Sequence, residues 1–265
     1  MKKALFLALM TSFLCYCKKE QVADSNSSII EGLLPEYRQG ELTRFLELLQ
    51  YEENGSILMS HYNYNFSRHQ KYSIIGTFEP VMNVYRVKLN QEVIPVVNKY
   101  FQHDDDLLEA GLQEGASIPN YFNTNLEMSL LTANNSILLT SSLAIPAALV
   151  FDIAEQNPIF QPGTMITWNA APENTLGLYL IFEYAPAGNL HLGENLSEEK
   201  QVWYINIPDT GSYTFSQADF PSNLPEESVV GMRAIRATYK DSSTPNGNFR
   251  FVAHSEVHGL FVFRR

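Results

Sequence analysis

Three residues near the C-terminus have the types and spacing to do chemistry. His254, Glu256 and His258 alternate along the apolar run from Phe249 to Phe263, and at the period of a strand they project from one face. Two imidazoles and a carboxylate make a zinc ligand set. The other face reads Phe249, Phe251, Ala253, Val257, Phe261 and Phe263, which is a core-facing stripe. The spacing also differs from the helical H-E-x-x-H of zinc proteases. The pattern therefore predicts that His254, Glu256 and His258 form a metal-free row on the solvent side, with Arg250 and Arg264 beside them.

Two other clusters invite the same question. Gln102 to Asp106 (QHDDD) gathers one histidine and three aspartates, oxygen-rich enough for calcium. It lacks the spaced ligands and turning glycine of an EF-hand, and acids collect at a helix start without any metal. A short helix over 105–113 is the simpler reading. Tyr62, Tyr64 and Phe66 share one strand face, with His61, Asn63 and Asn65 on the other. Such a row can stack on sugar rings, although aromatic rows on strands are more often core. Trp203 and Tyr204 point to opposite faces, so one is expected to be buried and the other more exposed. These five aromatics are the candidate ligand-binding residues; Trp168, ending an apolar strand, is expected in the core. The chain has no G-x-S-x-G elbow, no G-x-x-x-x-G-K-[ST] phosphate loop and no G-x-G-x-x-G dinucleotide loop. No catalytic residue is assigned and no cofactor is expected.

The cysteines mark a different chemistry. Both lie near the N-terminus, at Cys15 and Cys17, and none occurs in the 248 residues that follow. Met1-Lys2-Lys3 is a positive start, and Ala4 to Leu14 (ALFLALMTSFL) is an apolar run of 11 residues. A bilayer-spanning helix needs about 20 such residues, so this run reads as a secretory signal peptide. Leu14-Cys15-Tyr16-Cys17 resembles the lipobox of bacterial lipoproteins, with Leu14 at the aliphatic position three residues before Cys17. Tyr16 departs from the small residue preferred there. Cys17-Lys18-Lys19-Glu20 is similar to the mature N-termini of lipoproteins from the Bacteroidota. The resemblance implies diacylation of Cys17 and a membrane partner through that anchor. The expected location is the cell envelope, at the outer membrane.

The bulk composition fits a folded, exported chain. Of 265 residues, 45% are hydrophobic and 18% charged, a globular balance with room for one or two domains. A formal net charge of −11 disfavours nucleic acid as a partner.

The elements that must position these residues are mostly strands. Residues 17–28 are polar and read as a tether after a leader at 1–16. Leu42, Phe45, Leu46 and Leu49 recur at helical spacing and predict a helix over 40–53. Strands are expected at 57–66, 81–89, 126–132 and 137–140, the last two flanking Asn134-Asn135 as a hairpin turn. The 81–89 strand would place Val81, Tyr85, Val87 and Leu89 on one face. These elements compose a β-rich N-terminal domain over 29–145. Seven further strands, at 148–153, 165–168, 178–184, 201–207, 211–215, 229–237 and 249–263, are separated by proline- and glycine-bearing turns. That spacing predicts a mainly β fold with a β-sandwich at 146–265.

Within that second half, Gly163 to Trp168 followed by Pro172 resembles the second strand of a fibronectin type III domain. Leu178 to Tyr184 resembles the next strand. Ser212 to Phe215, Leu224-Pro225 and Val229 to Ala237 resemble the passage from the fifth strand to the sixth. The tyrosine of that passage is absent, Ser228 and Val229 standing there. The resemblance implies an immunoglobulin-like sandwich and no reaction. The leading expectation is a lipid-anchored envelope protein that binds a protein partner or glycan, or acts as a scaffold. The rivals are a hydrolase using Asp, Glu, His or a metal, and a structural fibre or adhesin subunit.

Overall fold

The computed structural model of the chain describes residues 36–49, 54–64, 70–104, 118–153, 158–184 and 201–264. Among the described residues one α-helix, α1 (Glu36–Leu48), starts earlier than its apolar spacing indicates. Its Leu42 and Phe45 are buried against Tyr179, Tyr204, Ile235 and Ala237, with Leu46 and Leu49 at the margin. The Phe45 ring stacks on Tyr179 with centroids 3.7 Å apart. The anticipated helix over 105–113 lies outside the described residues, as do Cys17 and the leader.

The rest is mainly β. In the first half run β1 (Gly55–Tyr64), β2 (Gln70–Phe78), β3 (Arg86–Leu89), β4 (Glu92–Pro95), β5 (Tyr100–Asp104), β6 (Thr124–Leu131) and β7 (Ile137–Ile145). In the second run β8 (Ile159–Phe160), β9 (Met165–Thr167), β10 (Leu178–Tyr184), β11 (Gln201–Ile207), β12 (Ser212–Thr214), β13 (Glu227–Thr244) and β14 (Gly247–Arg264). The large sheet has the order β11-β10-β13-β14-β1-β2-β5, with β8 paired to the far end of β14. A four-stranded sheet, β4-β3-β6-β7, and a two-stranded one, β12-β9, complete the layers.

The organising element is the β13–β14 hairpin. Each strand has 18 residues, about 60 Å of extended chain against a usual strand of 17–20 Å. The turn at Pro245-Asn246-Gly247 works because Gly247 takes φ 136°, which a side chain would resist. This length lets one hairpin enter two cores. The start of β14 pairs in parallel with β1, from Ser56 opposite Arg250 to Tyr64 opposite His258. There Phe249, Phe251 and Ala253 join Ile57, Met59, Ile74 and Phe101 against Val87, Leu89, Leu126, Met128 and Leu130. Further along, Val257, Phe261 and Phe263 join Leu180, Phe182, Trp203 and Met232 against Ile166, Trp168 and Phe215. The two halves of the sequence therefore share the hairpin.

Where the two cores meet, the buried face turns polar. Arg236 and Asp209 form an ion pair with both side chains at 0% exposure. Arg236 donates through Nε at 2.6 Å and Nη2 at 2.8 Å to the two Asp209 oxygens. It also donates to the Ala147 carbonyl at 2.8 Å and to the Asn169 carbonyl. Trp168 Nε1 and Asn174 Nδ2 donate to Asp209 at 2.8 and 3.1 Å. Burial alone would raise the Asp209 carboxyl, but these hydrogen bonds and the Arg236 charge hold it below the usual carboxylate range. The network fixes the chain just after β7 to the middle of the hairpin. On the same face, Leu149 N–H donates to Ser255 Oγ at 2.6 Å, and His61 Nδ1 lies 2.6 Å from that oxygen.

Some expected elements differ. The 81–89 strand shortens to β3 because Pro80 opens a 3₁₀ turn that ends on Asn83 at φ 54°. Val81 and Tyr85 are accordingly exposed, at 57% and 49%, while Val87 and Leu89 are buried. Residues 148–153 make a single bridge, Phe151 to Trp168, in place of a strand. β2, β4, β5 and β8 have no counterpart in the sequence reading. In β2, Gly76 leaves the space that the Phe101 ring of β5 occupies; a Cβ there would sit 1.9 Å from that ring.

Candidate functional site

The face of the large sheet opposite the two cores carries the titratable residues. Its register aligns Ile181, Arg233, His258 and Tyr64 in one row across β10, β13, β14 and β1. The next row is Tyr179, Ile235, Glu256 and Tyr62, and the one after it contains Ala237, His254 and Ser60. Period-two geometry thus gathers His254, Glu256 and His258 as their spacing indicates. It does not leave them all in solvent. His254 is 4% exposed and Glu256 2%, whereas His258 retains 38% of its side-chain surface. The correction has a simple cause: α1 packs on this face, covering Ile235 and Ala237, the cross-strand partners of Glu256 and His254.

Glu256 is the anchor of the cluster. Arg233 donates to it through Nε, and through Nη2 at 2.9 Å, a fork on the two carboxylate oxygens. His258 Nε2 pairs with Oε1 of the same carboxylate. Burial would raise the Glu256 carboxyl, but the hydrogen bond from His258 and the charge and hydrogen bonds of Arg233 bring it down to about 2. Arg233 in turn is raised: burial opposes its charge, and Glu256 more than offsets that. A carboxylate this acidic remains an anion at neutral pH. It orients cations and does not donate protons.

His254 is different. Neither ring nitrogen has a hydrogen-bond partner, and the Tyr62 ring stands edge-on at 5.5 Å. Burial pushes this imidazole down to about 4, with Glu256 opposing and Arg233 and His258 adding to the shift. On the far face of the sheet, burial lowers His61 to about 4 as well, against the Gln70 side chain and with help from His254. Both are neutral at pH 7.

The candidate residues from the sequence separate here. Tyr62 is half-buried within the cluster. Tyr64 stands opposite His258 in the register, and Phe66 falls outside the described residues. Trp203 and Tyr204 do occupy opposite faces, but both are 4% exposed, so neither presents a face to a ligand. Trp203 stacks on Phe182 at 5.2 Å and donates to the Asp219 carbonyl at 2.9 Å. Tyr204, expected with Trp203 to divide into one buried and one exposed, is covered by α1. Trp168 is in the core at 6% exposure. Of the QHDDD cluster, His103 and Asp104 end β5 opposite Ile74 and Ser73, and the other aspartates lie outside the described residues. Among the described residues, no three His, Cys, Asp or Glu side chains gather closely enough to hold a metal ion. Glu256, the one carboxylate of the proposed triad, has both oxygens on cations.

Sequence reasoning passed over Arg233, which is central to the cluster. The signal was present: Arg233 and Arg236 interrupt an apolar strand three positions apart, so they must face opposite ways and each needs a partner.

No protein-family model matches this chain, and neither does any curated protein. Among the described residues, no helix is long and apolar enough to cross a membrane.

Proposed function

We propose that this chain is a lipid-anchored envelope protein whose β framework binds a partner or glycan without transforming it. The observation that carries the reading is electrostatic. Among the described residues, both buried carboxylates that depart from their ordinary values, Asp209 and Glu256, are held down as anions by arginine forks. A hydrolase that uses a carboxyl as its proton donor would need that carboxyl raised towards neutrality. The cluster is instead a fixed arrangement of charge on rigid strands, which suits recognition. The immunoglobulin-like reading of the second half is supported by the order β11-β10-β13-β14 facing β9-β12, with Phe151 bridging to Trp168. Domains of that architecture commonly serve adhesion and binding.

The anchor reading rests on the sequence around Cys17. Two acyl chains give about 0.8 kcal/mol per buried CH₂, enough for stable attachment. Cys17→Ala is expected to shift the protein from the membrane pellet to the soluble fraction and to abolish labelling with radioactive palmitate. A variant that still pellets and still labels would show that Cys17 is not the lipid site. Binding itself is tested by exposing the released chain to arrays of envelope glycans and to envelope extracts; turnover of any bound glycan would favour the hydrolase instead.

A further inference from the structure

We propose that β11 pairs with β11 of a second copy of this chain, joining two large sheets into one about a two-fold axis. This goes beyond the binding role above.

β11 ends the large sheet, with β10 on its inner side. An end strand presents backbone donors and acceptors to whatever lies beside it, and folded proteins guard such edges with charge, proline or brevity. The other end strands of the described sheets have those guards. β5 includes His103 and Asp104, and β4 includes Glu92 and Pro95. β7 is uncharged, but Lys240 of β13 donates to its Ser142 carbonyl at 3.1 Å. β8, β9 and β12 have two or three residues each. β11 has seven residues, QVWYINI, with no charge, proline or glycine among them. In a chain of net charge −11, a neutral end strand lets two copies meet without setting carboxylate against carboxylate.

The strand is also self-complementary. Antiparallel pairing centred on Tyr204 engages all seven residues. It sets Trp203 opposite Ile205 of the copy, Val202 opposite Asn206, and Gln201 opposite Ile207. Trp203 and Ile205 belong to one core, so each would extend the core of the other copy. Val202 and Asn206 lie on the outer face, half-buried and exposed. The Tyr204 side chain packs under α1, and its backbone would make the pairing.

The position of the anchor favours a second copy as the occupant. A two-fold axis that relates antiparallel strands of one sheet is perpendicular to it, so both outer faces lie on the same side. α1, where the described chain begins, packs on that face. Both chains therefore enter from one side, as two lipid anchors in one bilayer require; this support rests on the anchor reading. The guarded β5 at the far end closes the assembly at two copies.

The test is disulfide trapping, because no cysteine follows Cys17 in the sequence. In the full chain bearing Cys17→Ala, Val202→Cys/Asn206→Cys sets each new thiol opposite one of the copy, at a Cα spacing of about 5 Å that a disulfide spans. Within one chain the two thiols are about 13 Å apart and cannot join. Mild oxidation is expected to give a covalent dimer on a non-reducing gel, at about tenfold or more the yield of either single variant. The Cys17→Ala parent sets the background from Cys15. If the double variant fails to fold, a charge pair decides. Val202→Lys/Asn206→Lys opposes lysine to lysine and should sediment as a monomer, whereas Val202→Lys/Asn206→Glu opposes lysine to glutamate and should sediment as a dimer. A folded double-cysteine variant that stays monomeric overturns the proposal, as do single variants that link equally well. A dimer that persists in the lysine pair also overturns it, because the contact then lies elsewhere. Membrane release by Cys17→Ala reads the anchor separately, so either reading can fail alone.

Discussion

Lowering the pH from 7 to 4.5 should remove about 5 kcal/mol of folding stability, and two histidines account for the loss. His61 and His254 are neutral in the fold, with burial holding each at about 4. In the unfolded chain each returns to about 6.5. Below pH 6.5 the unfolded state therefore takes up protons that the folded state refuses, and stability falls. The penalty is absent above 6.5, grows through the window and is complete near pH 4. At 4.5 it amounts to about 2.5 kcal/mol for each histidine, against a typical total of 5–15 kcal/mol. The depressed carboxylates act lower down. Glu256 and Asp209 stabilise the fold fully above their unfolded values and lose that effect as pH falls further, towards about 2 for Glu256. Urea unfolding at pH 7, 5.5 and 4.5 measures the effect. His254→Leu should halve the acid loss. It should also be neutral or stabilising at pH 7, because the ring nitrogens it removes have no partner. Stability that stays flat from pH 7 to 4.5 would mean that neither histidine is buried as a neutral ring.

Arg236→Met should cost about 3–5 kcal/mol, the usual penalty for leaving one partner of a buried pair uncompensated. The aliphatic stem would still pack, but Asp209 would remain at 0% side-chain exposure with only Trp168 and Asn174 as donors. The Ala147 and Asn169 carbonyls would lose their donor as well. Because these groups tie the segment after β7 to the middle of the hairpin, the loss should appear in both cores. The double variant Arg236→Met/Asp209→Leu should recover part of the stability, because it removes the uncompensated charge, while the Ala147 and Asn169 carbonyls and Trp168 Nε1–H stay without these partners. Chemical denaturation of the two variants decides the matter. A single variant within about 0.5 kcal/mol of wild type would mean that the pair is not buried.

How much of this was legible in the sequence depends on which physical signal each feature leaves. Leu178–Tyr184 and Gln201–Ile207 were read with the boundaries the strands have. Both are short, apolar or aromatic runs between turn-forming residues. On β14 the phenylalanine stripe was correctly assigned to a core, and the companion face was misjudged. Alternation reports that two faces differ; it does not report that a helix almost two hundred residues earlier lies on the polar one. The length of β13 was also hidden, because its second half, Tyr239 to Thr244, is polar and joins no apolar stripe. The pairs Arg233–Glu256 and Arg236–Asp209 span 23 and 27 positions. Nothing local in the sequence connects them, so the cluster could be seen only once the register was known. β2 escaped because its glycine and polar residues break the pattern, and only the Phe101 ring over Gly76 explains why glycine stands there.

The most direct test of the fixed charge cluster behind the proposed binding role is the side-chain Nε–H resonance of Arg233, followed by nitrogen-edited NMR at neutral pH. Its assignment comes from its loss in Arg233→Lys. The expected result is a resolved, slowly exchanging signal in the free protein, because Nε is held on a buried carboxylate before any ligand arrives. A signal lost to rapid exchange would contradict a guanidinium held on a buried carboxylate.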